Sequence, residues 1–180
     1  MKVLVSIFMM TLLAGCSAID MKQYSANEPQ LDLFEYFSGE TKGWGIVQDR
    51  KGTLTRQFEV DITGEITEEG NLILKEYFNW SDGEQSTRTW ILSKANSHSY
   101  TGTAGDVTGQ ADGILYGNVL NWQYQLNVKI DDSHWKIALD DWMFLVDDDM
   151  LINKATMSKF GFEVGEITII FKKLHSDGVR

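Results

Sequence analysis

The sequence predicts an all-β fold, an antiparallel meander of about nine or ten strands closed into a barrel. Two observations carry the prediction. From Leu33 onward apolar side chains recur mostly at every second position, the period of a strand with one buried face. The alternating segments run to about ten residues and are separated by short turn signals, which suits hairpins in chain order. A meander of this kind avoids exposed edges best when its last strand returns to its first.

The chain opens on Met1–Cys16, MKVLVSIFMMTLLAGC. Lys2 gives a positive start, and Val3–Ala14 is apolar apart from Ser6 and Thr11. At about 1.5 Å per residue this run is too short for a bilayer core of roughly 30 Å, so it reads as a secretory segment. It ends in Leu13-Ala14-Gly15-Cys16, small residues before the single cysteine of the chain. That ending resembles the bacterial lipobox, in which the cysteine is diacylglycerylated and becomes the new N-terminus. Several acyl chains on Cys16 would hold a domain firmly to a membrane without a spanning helix. By resemblance to Gram-negative lipoproteins, Ser17 after the cysteine favours export to the outer membrane. Ser17–Gln30 is polar, carries the only proline, Pro29, and reads as a tether. The expected division is a signal peptide over 1–15, a lipidated N-terminus and flexible tether over 16–30, a β-barrel over 31–174 and a tail over 175–180.

A short helical turn is expected at Leu31–Phe37, before the first strand. Leu54, Arg56, Phe58, Val60 and Ile62 then share a face, as do Leu72, Leu74, Glu76, Phe78 and Trp80. Leu120 to Ile130 and Trp135 to Leu145 repeat the pattern on alternate residues. The turn signals between such segments are Arg50-Lys51-Gly52, Glu69-Gly70-Asn71, Ser81-Asp82-Gly83-Glu84, Asp131-Asp132-Ser133 and Asp147-Asp148-Asp149. A membrane-spanning barrel would show the same period with its apolar face outward. The lipobox, and Glu59, Asp61, Lys75 and Lys136 on the other face, favour an apolar interior.

Composition removes several classes. The formal charge is -10 and the pI about 4.7, which disfavours contact with nucleic-acid phosphates. One cysteine excludes an intramolecular disulfide and a cysteine-based zinc site. His98, His134 and His175 lie far apart in turns and tail, and no nucleophile elbow or phosphate loop occurs. No metal and no cofactor is expected.

The motifs, taken in order, are Gly43-Trp44-Gly45, Asp49-Arg50, Arg56-Gln57-Phe58, Glu76-Tyr77-Phe78, Asp82-Gly83-Glu84, Arg88-Thr89-Trp90, Gly109-Gln110-Ala111-Asp112-Gly113, Asp140-Asp141-Trp142-Met143, Asn153-Lys154-Ala155 and Lys159-Phe160-Gly161. As a set over Leu33–Lys172 they resemble the DUF3833 family of bacterial lipoproteins. The resemblance implies a lipocalin-like barrel behind a lipobox and implies no activity.

The informative residues are charges that interrupt the apolar stripes: Arg56, Glu76, Arg88 and Asp141. Asp82-Gly83 is expected as a two-residue turn that pairs Ser81 with Glu84, and the hairpin is expected to hold Phe78 opposite Ser86, Glu76 opposite Arg88 and Leu74 opposite Trp90. A carboxylate and a guanidinium then meet on the inner side at fork-pairing distance. Three readings remain open: a buried network that fixes register, a cavity floor that grips a ligand head group, and catalysis. The small residues of Tyr100–Gly117 either leave room inside or bend the strands. The six tryptophans either line a pocket or fill the core.

The expected function is a periplasm-facing, lipid-anchored barrel at the outer membrane that binds a small, partly apolar ligand, a fatty acyl or lipid-derived molecule first. Its apolar interior would take the chain, and Arg56 or Arg88 would meet a carboxylate. The expected ligand set is Arg56, Glu76, Arg88, Trp90, Asp141, Trp142 and Lys159, with no catalytic residue assigned. The alternatives are an envelope structural or assembly factor acting through its surface, and a lipid-modifying enzyme using Asp141 with Lys159.

Overall fold

The computed structural model describes residues 19–175 except 131 and 132. The signal peptide, Cys16, the tail beyond 175 and most of the Asp131-Asp132-Ser133 turn lie outside the described residues. A short 3-10 turn, Met21–Tyr24, precedes α1 (Leu33–Phe37). The strands are β1 (Gly39–Asp49), β2 (Leu54–Ile66), β3 (Leu72–Trp80), β4 (Gln85–Lys94), β5 (Ser99–Ala104), β6 (Ala111–Tyr116), β7 (Val119–Ile130), β8 (Ser133–Leu145), β9 (Met150–Lys159) and β10 (Phe162–Leu174). Each pairs antiparallel with its neighbours in chain order, and β1 closes on β10. The ten-strand closed meander is the predicted fold.

The apolar stripes point inward. Phe58, Val60, Ile62, Leu72, Leu74, Trp90, Leu120, Trp122 and Leu139 are all buried. The stripes outrun the barrel at its rim: Leu54 is half exposed, and so is much of Trp135. Outside, Lys42 of β1 bridges Glu59 and Asp61 of β2 at 2.8 and 3.6 Å.

Helix α1 stops one end of the barrel. It is too short to hold itself, so its ends are tied down. The Asp32 side chain accepts from the backbone N–H groups of Phe34 and Glu35 at 2.9 and 3.0 Å. Lys173 Nζ donates to the carbonyls of Glu35, Tyr36 and Ser38 at 2.6, 2.9 and 3.0 Å, satisfying orphan acceptors at the helix C-terminus. Leu33 and Phe37 project into the barrel, and Phe37 meets Phe171 edge-on at 5.7 Å. Gly64 lets the helix dock this closely, since a Cβ there would fall on the Phe37 carbonyl.

The helix begins two residues later than expected because Asp32 is its cap. Within the segment expected as a tether over 16–30, Tyr24 and Asn27 meet the same end of the barrel. Asn27 Nδ2 donates to Asn118 Oδ1 at 3.1 Å, and Leu31 N to Gly117 O at 2.9 Å. Gly117 sits at φ 58° under the Tyr24 carbonyl, where a side chain would clash. A polar composition reads as unpacked, but here amide groups dock the segment.

Inward glycines in β5 and β6 do make room, and Trp122 takes it. A Cβ at Gly102 or Gly113 would collide with the Trp122 ring. Trp90 packs edge-on against Trp122 and Tyr124, with centroids 5.9 and 5.3 Å apart.

Candidate functional site

The interior is not filled. A cavity of about 230 Å³ lies above α1, walled by Leu74, Trp90, Leu120 and Trp122 among others. Leu33 and Phe37 form its floor, and Phe58, Phe78 and Trp80 lie toward the opposite mouth. A polar band crosses it, made by Glu76 of β3, Arg88 of β4, Asp141 of β8, Tyr124 of β7 and Asn153 of β9.

The predicted registers of Phe78 with Ser86, Glu76 with Arg88 and Leu74 with Trp90 are present. The turn that produces them differs. Trp80 faces Glu84 across a three-residue turn, with N–O distances of 2.9 Å and Gly83 at φ 87°. The expected pairing of Ser81 with Glu84 is therefore replaced, and the register below is that of the longer turn.

The expected Glu76–Arg88 fork does not form. The closest approach is 3.8 Å, from Arg88 Nη1 to Glu76 Oε2. Arg88 gives its fork to Asp106, with Nε and Nη2 donating to Oδ2 at 3.0 and 2.7 Å. Asp106 was missed because it lies in the β5–β6 loop, where no period marks an inward position. The loop reaches the site by pairing with β7: Asn127 N donates to Asp106 O, and Thr108 N to Gln125 O, each at 2.8 Å. It covers a stretch of β7 that the shorter β6 leaves unpaired.

Arg56 is on the predicted face but at the mouth, outside the cavity lining. Its Nη2 is held by Asp82 at 2.7 Å and Glu84 at 2.8 Å, and its guanidinium lies 3.9 Å from the Trp80 ring centroid. The expected zero-charge set of Arg56, Glu76, Arg88 and Asp141 is thus split in two. Trp142 faces outward, because the odd-numbered residues of this part of β8 take the interior; it stacks on Phe144. Lys159 lies at the end of β9 over the Trp135 ring, while Asp141 pairs with Ala155. The Asp141–Lys159 pair required by the enzyme reading is not assembled. Trp90 lines the cavity.

Asn153 is 2% exposed, lines the cavity, and leaves Nδ2 without a hydrogen-bond partner. Its signal was legible as the one polar residue in the Leu151, Asn153, Ala155 stripe. Glu76 Oε2 and Asp141 Oδ1 are also buried without a hydrogen-bond partner. Such orphans are few in folded proteins, and each costs desolvation energy. Asp141 keeps one bond, accepted from the Tyr124 hydroxyl at 3.2 Å.

Burial controls the protonation of the band. It pushes the Glu76 carboxyl up to about 7, with Arg88 pulling down and Asp106 pushing up. Burial likewise pushes Asp141 up to about 7, against the Tyr124 hydrogen bond and Arg88. The Tyr124 hydroxyl is pushed well above its usual range by burial and by Asp141. Arg88 stays charged, since Glu76, Tyr124 and Asp106 outweigh the desolvation that opposes its charge.

The fold is shared with solved structures of remote sequence. A DUF3598-family protein of unknown function from Nostoc punctiforme superposes with a TM-score of 0.60 at 15% identity, over 81% of this chain. The match spans half of that protein's length. The S-type phycobiliprotein lyase CPES from Guillardia theta superposes with a TM-score of 0.58 at 7% identity, over 81% of this chain and 91% of its own. At these identities the likeness is one of fold. No curated protein matches the sequence. The profile of DUF3833, a protein family of unknown function, matches residues 10–173, which takes in every strand and nearly all of the barrel, and the chain belongs to that family.

Proposed function

We propose that this is a lipid-anchored binding barrel, held at the outer membrane through an acylated Cys16 and facing the periplasm, which carries a small, largely apolar ligand. The single observation behind the reading is the cavity of about 230 Å³ with orphaned polar atoms of Glu76, Asp141 and Asn153 on an apolar wall. A ligand with a short apolar body and a polar end would fill the space and satisfy those atoms. The ligand carboxylate expected at Arg56 or Arg88 loses its support, because protein carboxylates already hold both guanidiniums. A polar end that donates hydrogen bonds suits the band better. Ile19 leaves the described chain at the helix-capped end, so an anchor at Cys16 would attach there and leave the mouth facing away from the membrane.

Native mass spectrometry of the protein purified from its own host tests the reading. A bound small molecule is expected, and an Ala155→Phe variant, which fills the cavity beside Asp141, should lose it while keeping its far-UV circular dichroism. A wild-type protein without any bound molecule counts against the proposal.

One observation favours the second reading, a surface-acting envelope factor. Phe160 and Phe162 are 89% and 77% exposed at the β9–β10 turn, where Phe160 takes φ 52° and Gly161 φ 80°. A two-residue turn with both φ positive prefers Asn-Gly, and a phenylalanine there costs about 1 kcal/mol. Phe160→Asn should therefore raise the stability by about that amount. If the tip docks on a partner, the same variant loses in-cell crosslinks placed at Phe162. Unchanged crosslinks would remove the surface reading.

A further inference from the structure

The chemistry of the band identifies the polar end of the ligand more narrowly, an inference that rests on the binding reading above. Among the described residues lining the cavity, Arg88 is the one cation, and it acts on Glu76, Asp106 and Asp141. Asp106 takes its fork, so one acid is neutralised. Glu76 sees the guanidinium only at 3.8 Å, and Asp141 has a phenol hydroxyl in place of a cation. Two carboxyls therefore face an apolar space with less positive charge than negative, and each has an oxygen without a hydrogen-bond partner. Asp141 is 5% exposed, so water outside the barrel cannot solvate it. Trp90 and Tyr124 present aromatic rings beside the same space, a surface that attracts cations.

The geometry points to a cationic ligand: a primary amine on an apolar chain, its ammonium seated against Glu76 and Asp141 and its chain lying among Trp90, Trp122 and Leu74 toward α1. The cavity of about 230 Å³ gives room for a short alkyl chain. An anionic head group is repelled by the same acids once they ionise, and a neutral one gains nothing from their ionisation.

Proton linkage supports the assignment. The groups facing the two acids are Arg88 of β4, Asp106 of the β5–β6 loop, Tyr124 of β7 and Asp140 beside Asp141 on β8. Burial holds both carboxyls partly protonated near neutrality, so an ammonium must displace a proton to bind. Amine affinity therefore rises with pH.

Calorimetric titration of the full barrel with octylamine, octanol and octanoate at pH 6 and pH 8 tests this. Octylamine should bind best at pH 8, at least tenfold tighter than octanoate, and about tenfold tighter than it binds at pH 6. Glu76→Gln should keep octanol binding and lose most of the preference for the amine. Asp141→Asn provides the same readout should the first variant fold poorly. Octanol and octanoate binding as tightly as the amine, or an amine affinity independent of pH, overturns the cation assignment and leaves the binding barrel intact. If none of the three binds, the cavity holds water alone, and the binding reading falls with the inference.

Discussion

Arg88→Met will cost about 3–5 kcal/mol of folding free energy at pH 8 and much less at pH 5. At pH 8 the substitution removes the cation that pulls Glu76 and Asp141 down, so two buried carboxyls must stay ionised at a cost or take up protons that the unfolded chain does not hold. Asp106 loses its fork as well, but its side chain is 40% exposed and water can replace the guanidinium. At pH 5 Glu76 is protonated, and a neutral carboxyl in the cavity costs far less. Urea unfolding at the two pH values measures the difference. Equal losses at both would assign Arg88 to packing, through its contacts with Phe78 and Trp90. The double variant Arg88→Met/Glu76→Gln should recover part of the loss at pH 8, because it removes the stranded charge with its partner.

The wild-type barrel will lose stability as the pH rises from about 4.5 to 7, opposite to the usual carboxylate trend. Glu76 and Asp141 have ordinary values of 4.5 and 3.8 in the unfolded chain and about 7 in the folded one. The folded state thus holds protons that the unfolded state has released. The stability this confers is complete below the unfolded values and is gone once the pH has passed the folded ones. A tenfold change in proton affinity corresponds to about 1.4 kcal/mol, so each carboxyl can contribute on the order of 3 kcal/mol. Two acids that share Arg88 will contribute less than twice that. Asp49 and Asp82 act in the opposite sense, since hydrogen bonds hold them below the usual range, and their effect falls at lower pH. Denaturant midpoints between pH 4.5 and 8 should show the decline, and Glu76→Gln or Asp141→Asn should each flatten it. A midpoint that rises over this range would contradict the assignment.

The barrel was legible because strands with one buried face print their period directly into the chain. Phe58, Val60 and Ile62 alternate with water-facing Glu59 and Asp61, and the structure buries the former set. Glu76 and Arg88 were legible for the same reason, as charges in phase with apolar neighbours. What period cannot convey is where along the barrel axis an inward residue lies. Arg56 shares a face with Phe58 but belongs to the mouth, where Asp82 and Glu84 reach it. Asp106 was hidden because loops carry no alternation, and its approach depends on how short β5 and β6 are. Alternation turns Trp142 outward, one residue after inward Asp141. The docked segment over 19–30 was illegible because its contacts run between polar groups distant in sequence.

A hollow barrel with two carboxyls shut away from solvent is directly readable by carbon-detected NMR titration of the Glu76 and Asp141 side chains. Midpoints near 7, moving downward when octylamine is added, are the predicted result. Midpoints at the values of solvated carboxyls, about 4, would mean that water reaches both groups and that the enclosed acidic site does not exist.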